Sequence, residues 1–361
     1  MKEYIINLRS KIIILNIRQF CFKKKLLCNE QKVIAGAECV INNNNANFCK
    51  LIYLIIISIV IFIFFKNNHH NIYGLSYDEK MKDYNNKNFS IIQRLQCPNC
   101  GFFSFYLVHL GCIYKLLSAG FIPIVDLKSF PNVYNSGNIS ITNPWELFFY
   151  QPYNYTLDEV EKYAKNVKYF HCVAEKDRPN ERNIYYNEDL ISFWHNFAKK
   201  FVPVKNEIIN EAKNNIKQLF GNSKNILGVK IRGTDYLSLK LKYHSIQPKV
   251  EQVISDTKYM DKIYKYDFIF FSTEDEKIKK IFESQFGKKL KLLNPNIYIE
   301  YNETDKYPIN SHKKIYGNLG YTKNYLLNII ILANCLDIIT SRSNVAAGIF
   351  ILIMIFHLSK I

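Results

Sequence analysis

Between Asn225 and Ser341 the chain alternates short apolar runs with amphipathic segments, and this alternation limits the fold more than any other feature. "NILGVKI" (225–231), "YDFIFFST" (266–273), "KKLKLLN" (288–294) and "LDIITS" (336–341) have the length and composition of strands. "DEKIKKIFESQFG", stopped by Gly287, and "KNYLLNIIILANC" carry helical spacing between them. Strands separated by helices are expected to run parallel. The fold class read here is α/β with a Rossmann-like sheet, whose ligands bind at the carboxyl ends of the strands. No GxGxxG or Walker-type loop occurs, so a dinucleotide or P-loop mode has no support.

A second region of the same type lies upstream. Phe103 to Ser118 gives apolar residues at helical spacing, Ala119-Gly120 supplies a stop, and "FIPIVDL" follows as a short buried strand ending at Asp126. Thr156 with Glu159 forms a capping box that opens a helix. "DLISFWHNFAKKFVPVKNEIINEAKNNIKQLF" reads as one or two long helices interrupted near Pro203. This segment separates two lobes, 96–215 and 216–361.

Three strand ends in the second lobe carry polar clusters: Arg232, Gly233, Thr234 and Asp235; Ser272, Thr273, Glu274 and Asp275; Thr340, Ser341, Arg342, Ser343 and Asn344. In a parallel sheet all three ends share one edge. An arginine fork among hydroxyls suits a diphosphate, and the acids suit sugar hydroxyls. Each cluster alone also has a structural explanation. Arg232 and Asp235 could form a turn salt bridge, Thr273 could cap the following helix, and Ser343 could cap the last one. Three clusters at equivalent ends shift the balance toward a site.

Residues Leu51 to Phe65, "LIYLIIISIVIFIFF", contain no charge. With Phe48 and Cys49 added and Lys50 snorkelling, the run approaches spanning length. The reading is an uncleaved signal anchor at 48–66, between a basic tail at 1–47 and an Asn/Lys/Tyr-rich stem at 67–95. The Lys23-Lys24-Lys25 run favours a cytoplasmic N-terminus. The expected location is thus a single-pass membrane protein, of Golgi or endoplasmic-reticulum type II topology in a eukaryote. The tail "GIFILIMIFHLSKI" reads as a buried helix with the rest of its lobe missing, or as a frame-shifted terminus.

The net charge of +17 favours anionic partners without choosing among nucleic acid, phospholipid and a phosphorylated small molecule. No nucleic-acid motif is present. Nine cysteines occur, five of them after the apolar run, an odd number that rules out complete internal pairing there. "CPNC" (97–100) reads as a local disulfide or as two thiols, and no metal site is assigned. N-x-S/T sequons occur at Asn88, Asn138, Asn154 and Asn302, about the number chance would give in so Asn-rich a chain.

"GVKIRGTDY", "HSIQPKVEQV", "FFSTEDEKI" and "ANCLDIITSRSNVAAG", in that order, resemble the three-motif pattern of the fucosyltransferase superfamily. "GFFSFYLVHLGCIYKLLSAGFIPIVDLKSFPNVYN" and "NPWELFFYQP" resemble the N-terminal lobe of related glycosyltransferase-like proteins. Together the matches cover residues 97 to 350. The resemblance implies a GT-B architecture with GDP-fucose or a related nucleotide sugar held by the C-terminal lobe. It implies inverting transfer to a glycan or glycoprotein without a metal or other cofactor. Arg232 would contact the donor diphosphate with Gly233 beside it, and Asp235 would orient the loop. Thr273, Glu274 or Asp275 would lie near the nucleoside, with Ser341, Ser343 and Asn344 at the phosphates. Lys230 stands where many members have His, to face a phosphate or to point into solvent. For the general base, Asp126, Glu146, Asp235 and His244 all qualify by type. The competing readings are a catalytically inactive, glycan-binding membrane protein and a membrane protein whose basic stem binds lipid or nucleic acid.

Overall fold

The computed structural model describes residues 5–6, 83–95, 100–130, 132, 134, 142–174, 178–180, 183–184, 187–233, 247–293 and 318–357. The anchor at 48–66, Thr234, Asp235 and His244 lie outside the described residues.

The first sheet has three parallel strands, β2 (Phe89–Gln93), β3 (Ile122–Val125) and β4 (Val167–His171), in the order β3-β2-β4. β2 is buried along four of its five residues, as a central strand covered on both faces must be. It lies in the stretch read as stem, within the compact unit that includes Asp83–Ile361. The four consecutive buried residues between Asn88 and Gln93 include Ser90, and an apolar run so interrupted does not stand out in an Asn/Lys-rich segment. β4 escapes a sequence reading for a different reason: as an edge strand it leaves Lys168, Tyr169 and His171 exposed.

Helix α1 (Phe102–Ser118) crosses from β2 to β3. It is apolar nearly all round and is buried accordingly. The stop at Ala119-Gly120 holds, with Gly120 at φ +80°. Two short helices, α2 (Trp145–Phe148) and α3 (Leu157–Tyr163), follow, and the Thr156–Glu159 capping box of α3 makes both of its hydrogen bonds. α4 (Glu188–Phe201) and α5 (Asn206–Phe220) are the two long helices, divided at Pro203.

The second sheet contains β1 (Ile5–Ile6), β5 (Ile226–Lys230), β6 (Phe268–Ser272), β7 (Leu290–Lys291) and β8 (Asp337–Thr340), in the order β1-β8-β5-β6-β7. The four strands from 226 onward are mutually parallel, as the alternation requires. One face packs on α6 (Val250–Tyr264) and α7 (Glu276–Phe286) through Val229, Met260, Phe271 and Phe282. The other receives α8 (Asn318–Ala333), whose Leu332 and neighbouring Cys335 would lie 3.1 Å from any Cβ at Gly228. Glycine is needed there because the helix approaches the strand so closely.

β1 pairs antiparallel with β8, Ile5 opposite Ile339, so part of the stretch read as tail belongs to the sheet. After β8 the chain enters α9 (Asn344–His357), which packs on α1 and α4; the apolar tail is a helix buried through Leu352. His195 of α4 donates from Nδ1 to the Ile351 carbonyl oxygen at 2.7 Å. Among the described residues no helix is long and apolar enough to cross a membrane.

Candidate functional site at the carboxyl ends of three strands

Register settles which residues meet. Lys230 at the end of β5 pairs with Ser272 of β6 on one side and with Thr340 of β8 on the other. The three polar clusters therefore begin side by side on one edge of the sheet, although more than a hundred positions separate the first from the last.

Side chains alternate along β5, so Lys230 points to the same face as Gly228, the face that α8 covers. Lys230 is accordingly buried at 5% exposure, and the alternative of a solvated lysine is excluded. Its Nζ lies 5.8 Å from the ring centre of Tyr325 on α8 and 2.7 Å from Glu274 Oε2. The other carboxylate oxygen, Oε1, lies 3.5 Å from Nε of Arg232. Two cations thus share one carboxylate. The Arg232 side chain is 36% exposed and brings its charge to the solvent side of the edge.

Several predicted site residues also do local structural work. Asp275 caps α7, accepting from the Ile278 amide at 3.0 Å, while Thr273 Oγ1 accepts from the Asp275 amide. The cap is therefore Asp275 rather than Thr273. Gly233 packs on this cap: a Cβ there would lie 2.5 Å from that of Asp275, which leaves room only for glycine. Ser343 caps α9, accepting from Ala346 N at 3.2 Å, with Asn344 as the first helical residue. Ser341 donates to Gln247 Oε1 at 2.6 Å, joining the "HSIQP" segment to the end of β8.

A small pocket opens between these strand ends and α8, lined by Lys230, Thr273, Glu274, Tyr321, Tyr325 and Asn328 among others. Its volume of about 10 Å³ has room for roughly one water molecule. A nucleotide sugar would have to lie over the edge beside Arg232, not inside this pocket. Burial raises the phenols of Tyr321 and Tyr325, with Glu274 raising both further, so each keeps its proton and can donate a hydrogen bond. Neither tyrosine was singled out from sequence; their i, i+4 spacing on α8 was the available signal.

Two of the four base candidates are committed elsewhere. Asp126 is fully buried and accepts from the Lys128 and Ser129 amides and from Gln93 Nε2. Glu146 Oε1 accepts from the Leu157 amide at 2.8 Å and from the Gln151 and Asn143 side chains. Both carboxylates brace loops of the first sheet. Among the described residues no cluster of His, Cys, Asp and Glu could hold a metal ion.

No family model and no curated protein matches the chain. Among solved structures it is similar to the fucosyltransferase NodZ from Bradyrhizobium, at 13% identity and a TM-score of 0.41, over 69% of this chain and 86% of that one. It is similar also to NodZ alpha-1,6-fucosyltransferase soaked with GDP-fucose (12% identity, TM-score 0.38, 69% and 86%). A third is POFUT1 in complex with GDP (10% identity, TM-score 0.38, 68% and 94%).

Proposed function

We propose that the chain is a glycosyltransferase of the fucosyltransferase type, GT-B in architecture, that binds a nucleoside-diphosphate sugar along the carboxyl edge of β5, β6 and β8. The observation that carries this reading is the in-register meeting of those strand ends around Lys230, Glu274 and Arg232. The group places a half-exposed guanidinium at the edge where parallel sheets bind ligands. A guanidinium is suited to the paired oxygens of a diphosphate.

In the transfer, an acceptor hydroxyl attacks the anomeric carbon, the bond to the diphosphate oxygen breaks, and the nucleoside diphosphate leaves with the electron pair. Arg232 stabilises the charge that grows on the leaving group. Glu274 holds Arg232 in place while neutralising Lys230. The acceptor proton goes to Asp235 or His244, since both oxygens of Asp126 are engaged and Glu146 is held through its Oε1 by three donors. The opposite-face geometry of a single displacement inverts the anomeric centre. GDP-fucose is the proposed donor and a glycan or glycoprotein the proposed acceptor.

The same reading places the protein in a membrane through residues 48–66. An N-terminus across the bilayer and the β1–β8 pairing exclude each other. The apolar run outweighs a two-residue edge pairing, since each large apolar side chain removed from water is worth roughly 1.5–3 kcal/mol. Insertion would release β1.

The decisive experiment measures GDP binding by calorimetry and GDP release from GDP-fucose, for the parent chain and for Arg232→Ala. The parent should bind and turn over, and the variant should lose roughly 10²-fold or more in turnover. A folded parent that neither binds GDP nor releases it with any acceptor sinks the enzyme reading and leaves the glycan-binding one.

A further inference from the structure

Cysteine chemistry and two surface asparagines carry an inference that is independent of the transfer reaction. Cys112 of α1 is bonded to Cys172, just past β4, and Cys100 is also disulfide-bonded. Only Cys335 is free among the described residues, and it is buried in the second sheet's core. The Cys112–Cys172 link belongs to the interior, its two residues being 0% and 2% exposed. Thiols so placed stay reduced in a reducing cytosol and become linked where the chain folds under oxidising conditions. The odd cysteine count is thus resolved by one thiol that never pairs, and the linked ones assign the folded unit to an oxidising compartment.

In such a compartment the sequons acquire meaning. Two of the four fall on described residues, Asn88-Phe89-Ser90 and Asn154-Tyr155-Thr156. Both asparagines are exposed. No hydrogen bond among the described residues engages either side-chain amide. Both positions are fixed by the residue that follows. Phe89 and Tyr155 are fully buried and pack edge to face, ring centres 5.0 Å apart. Asn88 sits at the amino end of β2, where its carbonyl oxygen accepts from the Ile122 amide at the start of β3. Asn154 leads into Tyr155 from a left-handed turn at φ +62°. The two amides therefore lie at the amino edge of the first sheet, opposite its carboxyl ends.

We propose that Asn88 and Asn154 are N-glycosylation sites, and that their glycans mark the amino edge of the first sheet as a solvent-facing surface. The co-reactant is a polyprenyl-pyrophosphate-linked oligosaccharide, used by a membrane oligosaccharyltransferase. The asparagine amide nitrogen bonds to the sugar's C1, the C1–O bond to pyrophosphate breaks, and the polyprenyl pyrophosphate leaves with the electron pair. The amide proton passes to that transferase's base, and nothing is oxidised or reduced. The folded geometry also sets the order of events. Ser90 is 2% exposed, and the Thr156 hydroxyl donates to Glu159 inside the capping box of α3. Neither sequon can present its hydroxyl to a transferase once the sheet has formed, so modification precedes folding.

The test expresses the full chain in a eukaryotic secretory host and maps both peptides by peptide-N-glycosidase release, an amide hydrolysis, in heavy-oxygen water. The expected result is conversion of Asn88 and Asn154 to labelled aspartate. Asn88→Gln and Asn154→Gln should each remove one glycan from the electrophoretic ladder and leave GDP binding unchanged. An unmodified peptide at either asparagine, in folded protein with Cys112 and Cys172 linked, overturns the assignment for that residue. Free thiols at Cys112 and Cys172 together with untouched sequons overturn the whole proposal. GDP binding measured on the same preparation is a separate readout, so failure of the transferase reading is recognised independently.

Discussion

Lys230 is buried at 5% exposure and Glu274 at 8%, so neither can lose its partner cheaply. Removing one member of a buried ion pair leaves the other charge desolvated and uncompensated, at a cost of about 3–5 kcal/mol. Glu274→Ala should therefore lower unfolding stability by about 3–5 kcal/mol in urea. Arg232→Ala, at a side chain open to solvent, should leave the thermal transition nearly unchanged while removing GDP binding. A stability loss for Arg232→Ala equal to that for Glu274→Ala would mean that the arginine is structural. Sequence could place Lys230 at a strand end but not bury it. Its partner Glu274 is 44 positions away, and the tyrosine over it comes from α8.

His109 supplies a second residue-level consequence. It is fully buried against Trp145, donates from Nδ1 to the Phe105 carbonyl oxygen, and is held down at about 4 by burial. The unfolded chain takes up this proton near pH 6.5, whereas the folded one resists until about 4. Stability is therefore unaffected by His109 above pH 6.5 and falls as the pH drops from 6.5 toward 4, by about 3 kcal/mol in all. Urea midpoints for the parent and His109→Leu at pH 7 and pH 4.5 should diverge, with the variant losing less on acidification. Parallel midpoints would place the acid sensitivity elsewhere.

At the scale of elements, β5 to β8 with α7 and α8 were legible because buried strands and amphipathic helices differ in period, whereas β1 fell in the stretch read as tail and α6 was not singled out. β2 and β4 were not legible either, the first being brief and the second exposed. Contacts between helices were beyond the sequence altogether. Gly348 of α9 faces Phe103 of α1 so closely that an added Cβ would lie 2.1 Å from the ring's Cδ1. Alanine raises helix propensity by about 1 kcal/mol over glycine, and overpacking typically costs about 1–3 kcal/mol. At a contact this short the clash should win, and Gly348→Ala should destabilise despite its better propensity. Phe103→Leu should relieve part of the loss, with a coupling of about 0.5–3 kcal/mol in a double-mutant cycle by chemical denaturation. Additive losses would show that α9 does not dock on α1 in solution.

For the molecule as a whole, the alternation of strands and helices anticipated which strand ends meet, because parallel topology leaves a single carboxyl edge. Nothing in the spacing of nine cysteines could pair Cys112 with Cys172, since the pairing depends on β4 running beside β2. That link closes a loop with a sequence separation of 60, spanning α1, β3, α2, α3 and β4. Constraining a loop of that length in the unfolded chain is worth about 4 kcal/mol. Cys172→Ala should thus lower stability by about 2–5 kcal/mol, and a reductant should cost the parent more than the variant by about that amount, because the Cys100 disulfide is reduced in both. Because the link lies wholly within the first sheet's layer, the loss should appear as a shift in the unfolding midpoint while the charge group at Lys230, Glu274 and Arg232 keeps its GDP affinity at low temperature. A variant that retains the stability of the parent but no longer binds GDP would show that the disulfide positions the site instead of bracing the sheet.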